Sequence, residues 1–367
     1  MGMTGWERAV LALLTIAIVG VVVWAVGLRR ERLQRLAWVT AGITFILIVL
    51  GAYVRLADAG LGCPDWPGCY GDFTPTQARD EIRAAEAAAP HGPVSMPKAW
   101  KEMAHRYLAM LVGCLILAIA LAATRQRRLA PTAVPLAWTL VVVVICQAIL
   151  GAWTVTWLLK PVIVTLHLLG GMTTLALLVW YAKSIGSNHG ISSRAAALRW
   201  PARVALAVLV VQIALGGWVS TNYAAAACGD LPLCQGAVLR PMDFNNGFHL
   251  VRELGKTASG SNLPLPALTA IHLTHRGFAF VVLLVFMWLV VATMRVAGLR
   301  GLAWGVGLAL LAQVALGLKV VWSMSNAHLE LALQLPAAAG HNAVAAVLLV
   351  LTLLINFAAR STRARMR

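Results

Sequence analysis

Four histidines lie in strongly apolar stretches of this sequence, where polar side chains are rare. His105 and His275 are 170 residues apart (275 − 105), and His167 and His341 form a second matched pair 174 residues apart (341 − 167). Ionisable side chains inside membrane spans usually have a function, and a six-coordinate haem iron binds two neutral imidazoles. The pairs therefore predict two haem sites. A hydrogen bond to a neighbouring helix is the simpler role for one such histidine, and a proton relay is the alternative for the set.

Three arginines accompany these histidines. Arg106 and Arg276 directly follow His105 and His275, and Arg55 ends an earlier apolar run. Because a guanidinium forms paired hydrogen bonds with carboxylates, the three arginines are candidates to bind haem propionates. For Arg55, extension of the side chain to the membrane surface is an equally good explanation.

One position breaks the similarity between the two histidine motifs. Glu102 precedes His105 by one helical turn, whereas His272 takes the same place before His275. A carboxylate one turn from a haem ligand lies on the same helix face and can transfer protons or hold a polar substrate. We therefore expect chemistry in the first half of the chain and electron transfer in the second. A carboxylate favoured by the helix dipole is the alternative explanation.

Four cysteines form two pairs with the same spacing. Cys63 and Cys69 lie in one predicted external loop, and Cys228 and Cys234 lie in another. An oxidising exterior permits disulfide bonds there. Zinc binding is the alternative, but the spacing is longer than that of structural zinc sites. The pattern favours two small disulfide loops.

The composition excludes a soluble protein. The chain has 367 residues, a mean hydropathy of +0.80, 60% hydrophobic residues and 12% charged residues. A membrane-spanning helix needs roughly 20 mostly apolar residues. Runs of this kind occur near residues 6–28, 36–57, 103–123, 134–157, 161–182, 201–221, 271–294, 302–324 and 336–359.

The net charge of +17 reflects membrane orientation rather than nucleic-acid binding. Arginines cluster in every second loop, which is the pattern of cytoplasmic loops. The N terminus is therefore predicted outside and the C terminus inside, with the lipid bilayer as the partner. The clusters begin with Arg29, Arg30, Arg32 and Arg35 and end with Arg360, Arg363, Arg365 and Arg367.

The chain contains a tandem repeat of four spans. Gly51 matches Gly216 at an offset of 165 (216 − 51), the cysteine pairs keep the same offset, and Gln147 matches Gln313 at 166 (313 − 147). An even number of spans per copy gives both copies the same orientation in the membrane. The predicted fold is an all-α polytopic membrane protein with two tandem four-helix bundles, related by a pseudo-two-fold axis, and one extra N-terminal transmembrane helix. The predicted boundaries are 1–34 for the extra helix, 35–185 and 201–367 for the halves, and 186–200 for a cytoplasmic linker; 77–89 is predicted to form a surface helix.

Together these motifs resemble the haem A synthase family over about residues 36–359. The resemblance rests on Gly51-Ala-Tyr-Val-Arg55, Cys63-Pro-Asp-Trp66, Glu102-Met-Ala-His105-Arg106, Phe248-His249-Leu-Val-Arg252-Glu253 and His272-Leu-Thr-His275-Arg276. It implies oxidation of the C8 methyl group of haem O to a formyl group, using oxygen and external electrons, to make haem A for terminal oxidases. It also implies a haem b held by His275 and His341, and a substrate haem site framed by His105 and His167 with Glu102 as the required acidic residue. Cys63 and Cys69 resemble the external cysteine pair of the family.

The resemblance also implies a location and partners. We expect a multi-pass protein of the bacterial cytoplasmic membrane with its haem sites on the outer side. The electron donor is not identified by the sequence; a haem O synthase and a second copy of the chain are further candidate partners. The alternatives are a di-haem cytochrome b that oxidises quinol and, from another class, a repeat-built transporter.

Overall fold

Long apolar helices make up almost all of the protein. The computed structural model describes residues 30–127, 133–186, 193–237, 240–325 and 331–360. In these ranges eight helices are long and apolar enough to cross a membrane, and no strand occurs. In chain order, with the short α2 of the first long loop included, the α-helices of more than one turn are α1 (Arg30–Leu56), α2 (Arg79–Ala88), α3 (Met96–Arg125), α4 (Ala133–Thr156), α5 (Pro161–Ser184), α6 (Arg199–Thr221), α7 (Leu265–Met294), α8 (Arg300–Ser325) and α9 (Leu331–Arg360). A single α-helical turn at Phe244–Gly247 and two short 3-10 helices, Ser193–Leu198 and Ala224–Ala227, lie between them.

The structure confirms the predicted all-α membrane class. Eight of the nine predicted spans match the long helices, and α2 matches the predicted surface helix. The ninth span, 6–28, lies outside the described residues. The orientation of the two termini stays a prediction.

Two helices begin earlier than predicted. The apolar runs suggested that α3 and α7 start near residues 103 and 271, with His105 and His275 at their outer ends. Both helices instead begin two turns earlier, each with a proline in its first two positions, where the missing N–H costs nothing. His105 therefore lies 9 residues into α3 (105 − 96) and His275 lies 10 residues into α7 (275 − 265).

The contacts between helices form two rings of four. In one ring α1 contacts α3, α3 contacts α4, α4 contacts α5 and α5 contacts α1; α6, α7, α8 and α9 repeat the same order. The rings touch through α1 with α9, α5 with α6, and α5 with α9. Exchanging the two rings leaves this contact pattern unchanged, as a two-fold relation requires. The domain boundaries themselves stay a prediction.

Equivalent residues of the two halves meet at the outer end of the ring contact. Arg55 Nη2 donates to the carbonyl of Ser220 at 2.8 Å, and Tyr223 Oη donates to Asp58 Oδ1 at 2.6 Å. Both pairs are 165 residues apart (220 − 55 and 223 − 58). Residues related by a repeat contact each other in this way only near the symmetry axis, so the axis passes through this rim.

The other ends of the helices pack closely, with buried alanines at many of the contacts. Ala37, Ala41, Ala120, Ala122 and Ala202 are all buried there. Small residues allow helix backbones to approach closely inside a membrane, where packing and hydrogen bonds replace the hydrophobic effect. The protein is therefore densely packed at the end opposite the cysteine loops.

Polar side chains form hydrogen bonds between the helices at this densely packed end. Gln34 Nε2 of α1 donates to the Ala182 carbonyl of α5 at 3.0 Å. In the second half, Asn356 Nδ2 of α9 donates to the Ala202 carbonyl of α6 at 2.8 Å. Each bond joins the first and last helices of one ring.

We expect Asn356→Leu to lower the midpoint of thermal unfolding by a few degrees. The change removes a bond between helices that is worth about 1 kcal/mol in a membrane. The measurement is the loss of helical circular dichroism on heating the detergent-solubilised protein. Thr352→Val, which removes only a bond within α9, should have a smaller effect. An Asn356→Leu protein as stable as the unchanged chain would contradict this role.

Candidate functional site

The four histidines form two pairs with nearly the same geometry. His105 of α3 and His167 of α5 have ring centroids 6.4 Å apart and ring planes at 73°. His275 of α7 and His341 of α9 have centroids 6.4 Å apart and planes at 76°. A metal ion about 2 Å from a nitrogen of each ring requires roughly this separation, near 6 Å between centroids. Each histidine pair thus spans the space between two helices of the same four-helix group.

A glycine of a neighbouring helix faces each of these imidazole rings. If any of these glycines carried a Cβ, that atom would lie within 3.3 Å of the ring's Cε1, closer than a relaxed contact allows. Each imidazole ring therefore occupies space next to the neighbouring helix that is free only because the facing residue is a glycine. The pairs and the Cβ to Cε1 distances are Gly51 with His105 at 2.9 Å, Gly151 with His167 at 3.3 Å, Gly216 with His275 at 3.0 Å and Gly317 with His341 at 3.1 Å.

The hydrogen bonding of the rings is compatible with metal binding. The buried Nδ1 atoms of His105, His167 and His275 have no hydrogen-bond partner among the described residues. His341 Nδ1 lies 3.1 Å from the carbonyl of Gln313, which suits the tautomer with the lone pair on Nε2. The side-chain Nε2 of Gln313 lies 3.1 Å from that Nε2, so iron binding there would replace this hydrogen bond. Unpaired polar atoms are costly in an apolar interior unless the group serves another purpose. Neutral imidazoles in opposed pairs fit haem iron.

One cavity reaches all four histidines. Its volume is about 2040 Å3, and its wall is mostly apolar. Pockets for single drug-sized ligands are about 300–1,000 Å3. The cavity is therefore large enough for two macrocycles, one in each half.

Glu102 lies in the wall of the first half and binds the first cysteine loop. Its Oε2 accepts from the backbone N–H of Cys63 at 2.9 Å, and its Oε1 accepts from Arg106 Nη2 at 2.5 Å. The residue is 4% exposed. A buried carboxylate requires partners of this kind, so Glu102 is held rigidly one turn from His105.

His272 occupies the equivalent place in the second half. Its Nδ1 lies 2.9 Å from the carbonyl of Ala224, and its Nε2 accepts from Arg276 Nε at 3.1 Å. The second half thus ties its outer segment to the ligand helix with an imidazole in place of a carboxylate. The difference predicted from the sequence is present in the walls of the two halves.

The arginines have partners that the sequence did not suggest. Arg106 Nη1 donates to the Asp65 carbonyl at 2.8 Å, and Arg276 Nη1 donates to the Asp230 carbonyl at 3.1 Å. Both therefore hold the cysteine loops against the ligand helices. Arg55 lies over the ring of Tyr223, 4.1 Å from its centroid. All three line the cavity, and propionate binding stays a prediction.

The two cysteine loops have the same construction. Disulfide bonds join Cys63 to Cys69 and Cys228 to Cys234. In the second loop the Asp230 carboxylate accepts from the N–H groups of Gln235 and Gly236. The Gly236 and Gln235 N–H groups lower the pKa of Asp230 below its ordinary value. Each loop is a rigid cover above one ligand helix.

The glycines at the rings are functional residues that sequence reasoning missed. Gly51 and Gly216, and Gly151 and Gly317, were visible as repeated positions, but they served only to align the halves. Their repetition at nearly the same offset as the histidines was the available signal. Their role depends on which helix faces which, and this appears only in three dimensions.

Comparison with known proteins gives one consistent family. Residues 34–353 match the COX15-CtaA family, described as cytochrome oxidase assembly protein. A haem A synthase of Shewanella oneidensis is 36% identical over 337 residues, which are 88% of this chain and 96% of that protein. A haem A synthase of Caulobacter vibrioides is 28% identical over 351 residues, 88% of this chain and 95% of that protein.

We expect Gly51→Ala to alter the ligand geometry of a haem bound between His105 and His167. The new methyl group would displace the His105 ring, although alanine favours the helix itself. Gly42→Ala is the matched control, because a Cβ at Gly42 of the same helix meets nothing within 4 Å. The measurement is the visible spectrum and occupancy of haem added to the purified protein. Equal spectra for the two variants would contradict the spacer role of Gly51.

Proposed function

We propose an enzymatic function from one premise: this chain belongs to the COX15-CtaA family of cytochrome oxidase assembly proteins. The chain is a membrane oxidoreductase that oxidises the C8 methyl group of haem O to a formyl group, which makes haem A for terminal oxidases. The observation that carries this function is the pair of matched histidine sites, of which only the first has Glu102 in the equivalent wall position. Two histidine sites of the same geometry, only one of them with a carboxylate in this wall position, suit an enzyme with one substrate site and one electron-transfer site.

The first half binds the substrate. His105 and His167 hold the haem O macrocycle between α3 and α5, and the apolar wall excludes water from its faces. Glu102 lies one turn from His105, so it faces the same region of the cavity. Glu102 would therefore lie beside the bound substrate, whereas the equivalent position of the second half has no carboxylate.

Glu102 handles protons. Oxidation of the methyl group with oxygen and external electrons takes up one proton for each electron supplied, and a carboxyl group beside the substrate can deliver these protons. Arg106 and the Cys63 N–H fix the two carboxylate oxygens, so the group keeps its position while protons pass. The same contacts connect the site to the outer loop, which is the route to water.

The second half holds haem b. His275 and His341 are its ligands, and His272 with Arg276 fixes the outer segment above it. A bis-histidine haem supplies one-electron transfer. The role of the residues here is to hold the group rigidly.

The outer rim receives the polar edges of the two haems. Arg55, Arg106 and Arg276 line the cavity at this level and supply cations for propionates. The loops then lie outside the bacterial cytoplasmic membrane, with the N terminus outside and the C terminus inside. The oxidising side suits both disulfide bonds. An external electron donor, a haem O synthase and a second copy of the chain are the candidate partners.

Conversion of haem O tests this function directly. The full chain is expressed in a bacterium that makes haem O but has no haem A synthase, and the extracted haems are separated by chromatography. Haem A should appear only with the chain present. If the cells contain stable, membrane-inserted protein and haem O but no haem A, the function is rejected.

We expect Glu102→Gln to lower haem A formation by about 100-fold, the scale of a lost proton-transfer group. The variant keeps the size of the side chain and removes its charge. Glu81→Gln on the exposed face of α2 is the matched control and should keep full activity. Haem A formation at the normal rate in Glu102→Gln would contradict the assignment of the active half.

We expect His341→Ala to lose the tightly bound haem b and the electron supply with it. His275 and His341 would together hold the haem, so the loss of one of these imidazoles would weaken its binding. The measurement is the haem to protein ratio and the reduced-minus-oxidised spectrum of the purified protein. An unchanged ratio would contradict the pairing of His275 with His341.

A further inference from the structure

The wall of the cavity is symmetric on four of the eight spanning helices. Every position of α1 that lines it has a lining counterpart on α6, and every lining position of α5 has one on α9. Gly51 with Gly216 and His167 with His341 are examples. The same positions therefore line both regions on these sides, although some residues differ, among them Leu47 with Gln212 and Leu168 with Asn342. A difference in the shape of the wall, by contrast, lies elsewhere.

The symmetry fails between α3 and α4, at the deep end of the first half. Three lining residues lie there whose counterparts on α7 and α8 do not line the cavity in the described part of the chain. They are Leu117, Val141 and Ile145, opposite Met287 (117 + 170), Gly307 (141 + 166) and Leu311 (145 + 166). The cavity thus extends about one helical turn deeper in the first half.

A glycine creates this extension. Gly113 of α3 lines it, and a Cβ at Gly113 would meet nothing within 4 Å. Its counterpart is Leu283 (113 + 170), a partly buried side chain that packs against the hydrophobic core shared by the two halves and lines the cavity at this level. A leucine therefore fills in the second half the space that Gly113 leaves open in the first.

The extension is apolar and reaches the bilayer. Leu117 is 40% exposed and Ile145 is 54% exposed on the surface that faces lipid. Leu117 follows His105 by 12 residues (117 − 105), or about 18 Å along α3 at ~1.5 Å per residue. A ligand in the extension is thus a hydrocarbon chain that points away from the outer rim.

We propose that the extension beside Gly113 binds the isoprenoid tail of the substrate and that Gly113, by excluding a side chain, determines the choice of substrate. The proposal rests on the proposed function. The tail of haem O leaves the macrocycle on the edge opposite the propionates. With propionates at the outer arginines, this edge faces the extension. Haem b has no such tail and needs no extension in the second half.

The test compares two haems that differ in the tail. Purified full-length protein that retains its second-half haem is titrated with haem O and with haem B, and dissociation constants are taken from the visible spectra. The unchanged chain should bind haem O at least about tenfold more tightly, because the tail buries apolar surface. Gly113→Leu should remove this preference and leave haem B binding within about threefold.

Cys114→Leu is the matched control. Cys114 is the next residue of α3, it does not line the cavity, and its counterpart Leu284 is already a leucine (114 + 170). This variant should keep the preference for haem O. Equal second-half haem content and equal thermal midpoints in both variants show that the fold is intact.

Three results would overturn the proposal. They are a Gly113→Leu protein that still prefers haem O, a Gly113→Leu protein that loses both haems equally, and an unchanged chain with no preference, which would indicate a lipid chain as the occupant. If Gly113→Leu does not fold, Gly113→Ala must lower the preference severalfold or the proposal fails. Binding is measured without turnover, so a chain that prefers haem O but makes no haem A would reject the proposed function alone.

Discussion

The site depends on the distance between two imidazole side chains that face each other across a four-helix bundle. The value of 6.4 Å recurs in both halves although the surrounding side chains differ. The backbone limits it, since each ring stands against a glycine of the adjacent helix. A spacing limited by the backbone changes little with side-chain motion, so it suits a rigid metal site.

The cysteine loops are coupled to the ligand helices by the residues that flank the first histidine of each pair. Glu102 and Arg106 bind one loop, and His272 and Arg276 bind the outer segments of the second half. Because these residues are one turn before the ligand and directly after it, any shift of a loop is transmitted to the ligand helix. The loops are thus part of the site and not merely its cover.

The sequence predicted what depends on periodicity and composition: the spans, the repeat and the four histidines. It did not predict the early starts of α3 and α7, because Lys98 and Lys101 interrupt the apolar pattern before α3 and Pro266 interrupts it before α7, yet both helices continue through these residues. The roles of Gly51 and Arg106 depend on contacts between distant segments. Such contacts follow from helix packing, which no local pattern encodes.

Two of the differences between the halves of the repeat lie at cavity positions and change the chemistry or the space of the wall. Glu102 against His272 changes the acid–base character of the outer wall, and Gly113 against Leu283 changes the volume of the inner wall. The atoms nearest to a Cβ built at each spacer glycine belong to the histidine rings and not to these residues. Duplication followed by changes at such positions can give two haem sites different functions while the scaffold stays the same, because ligand geometry and ligand identity are controlled by separate residues.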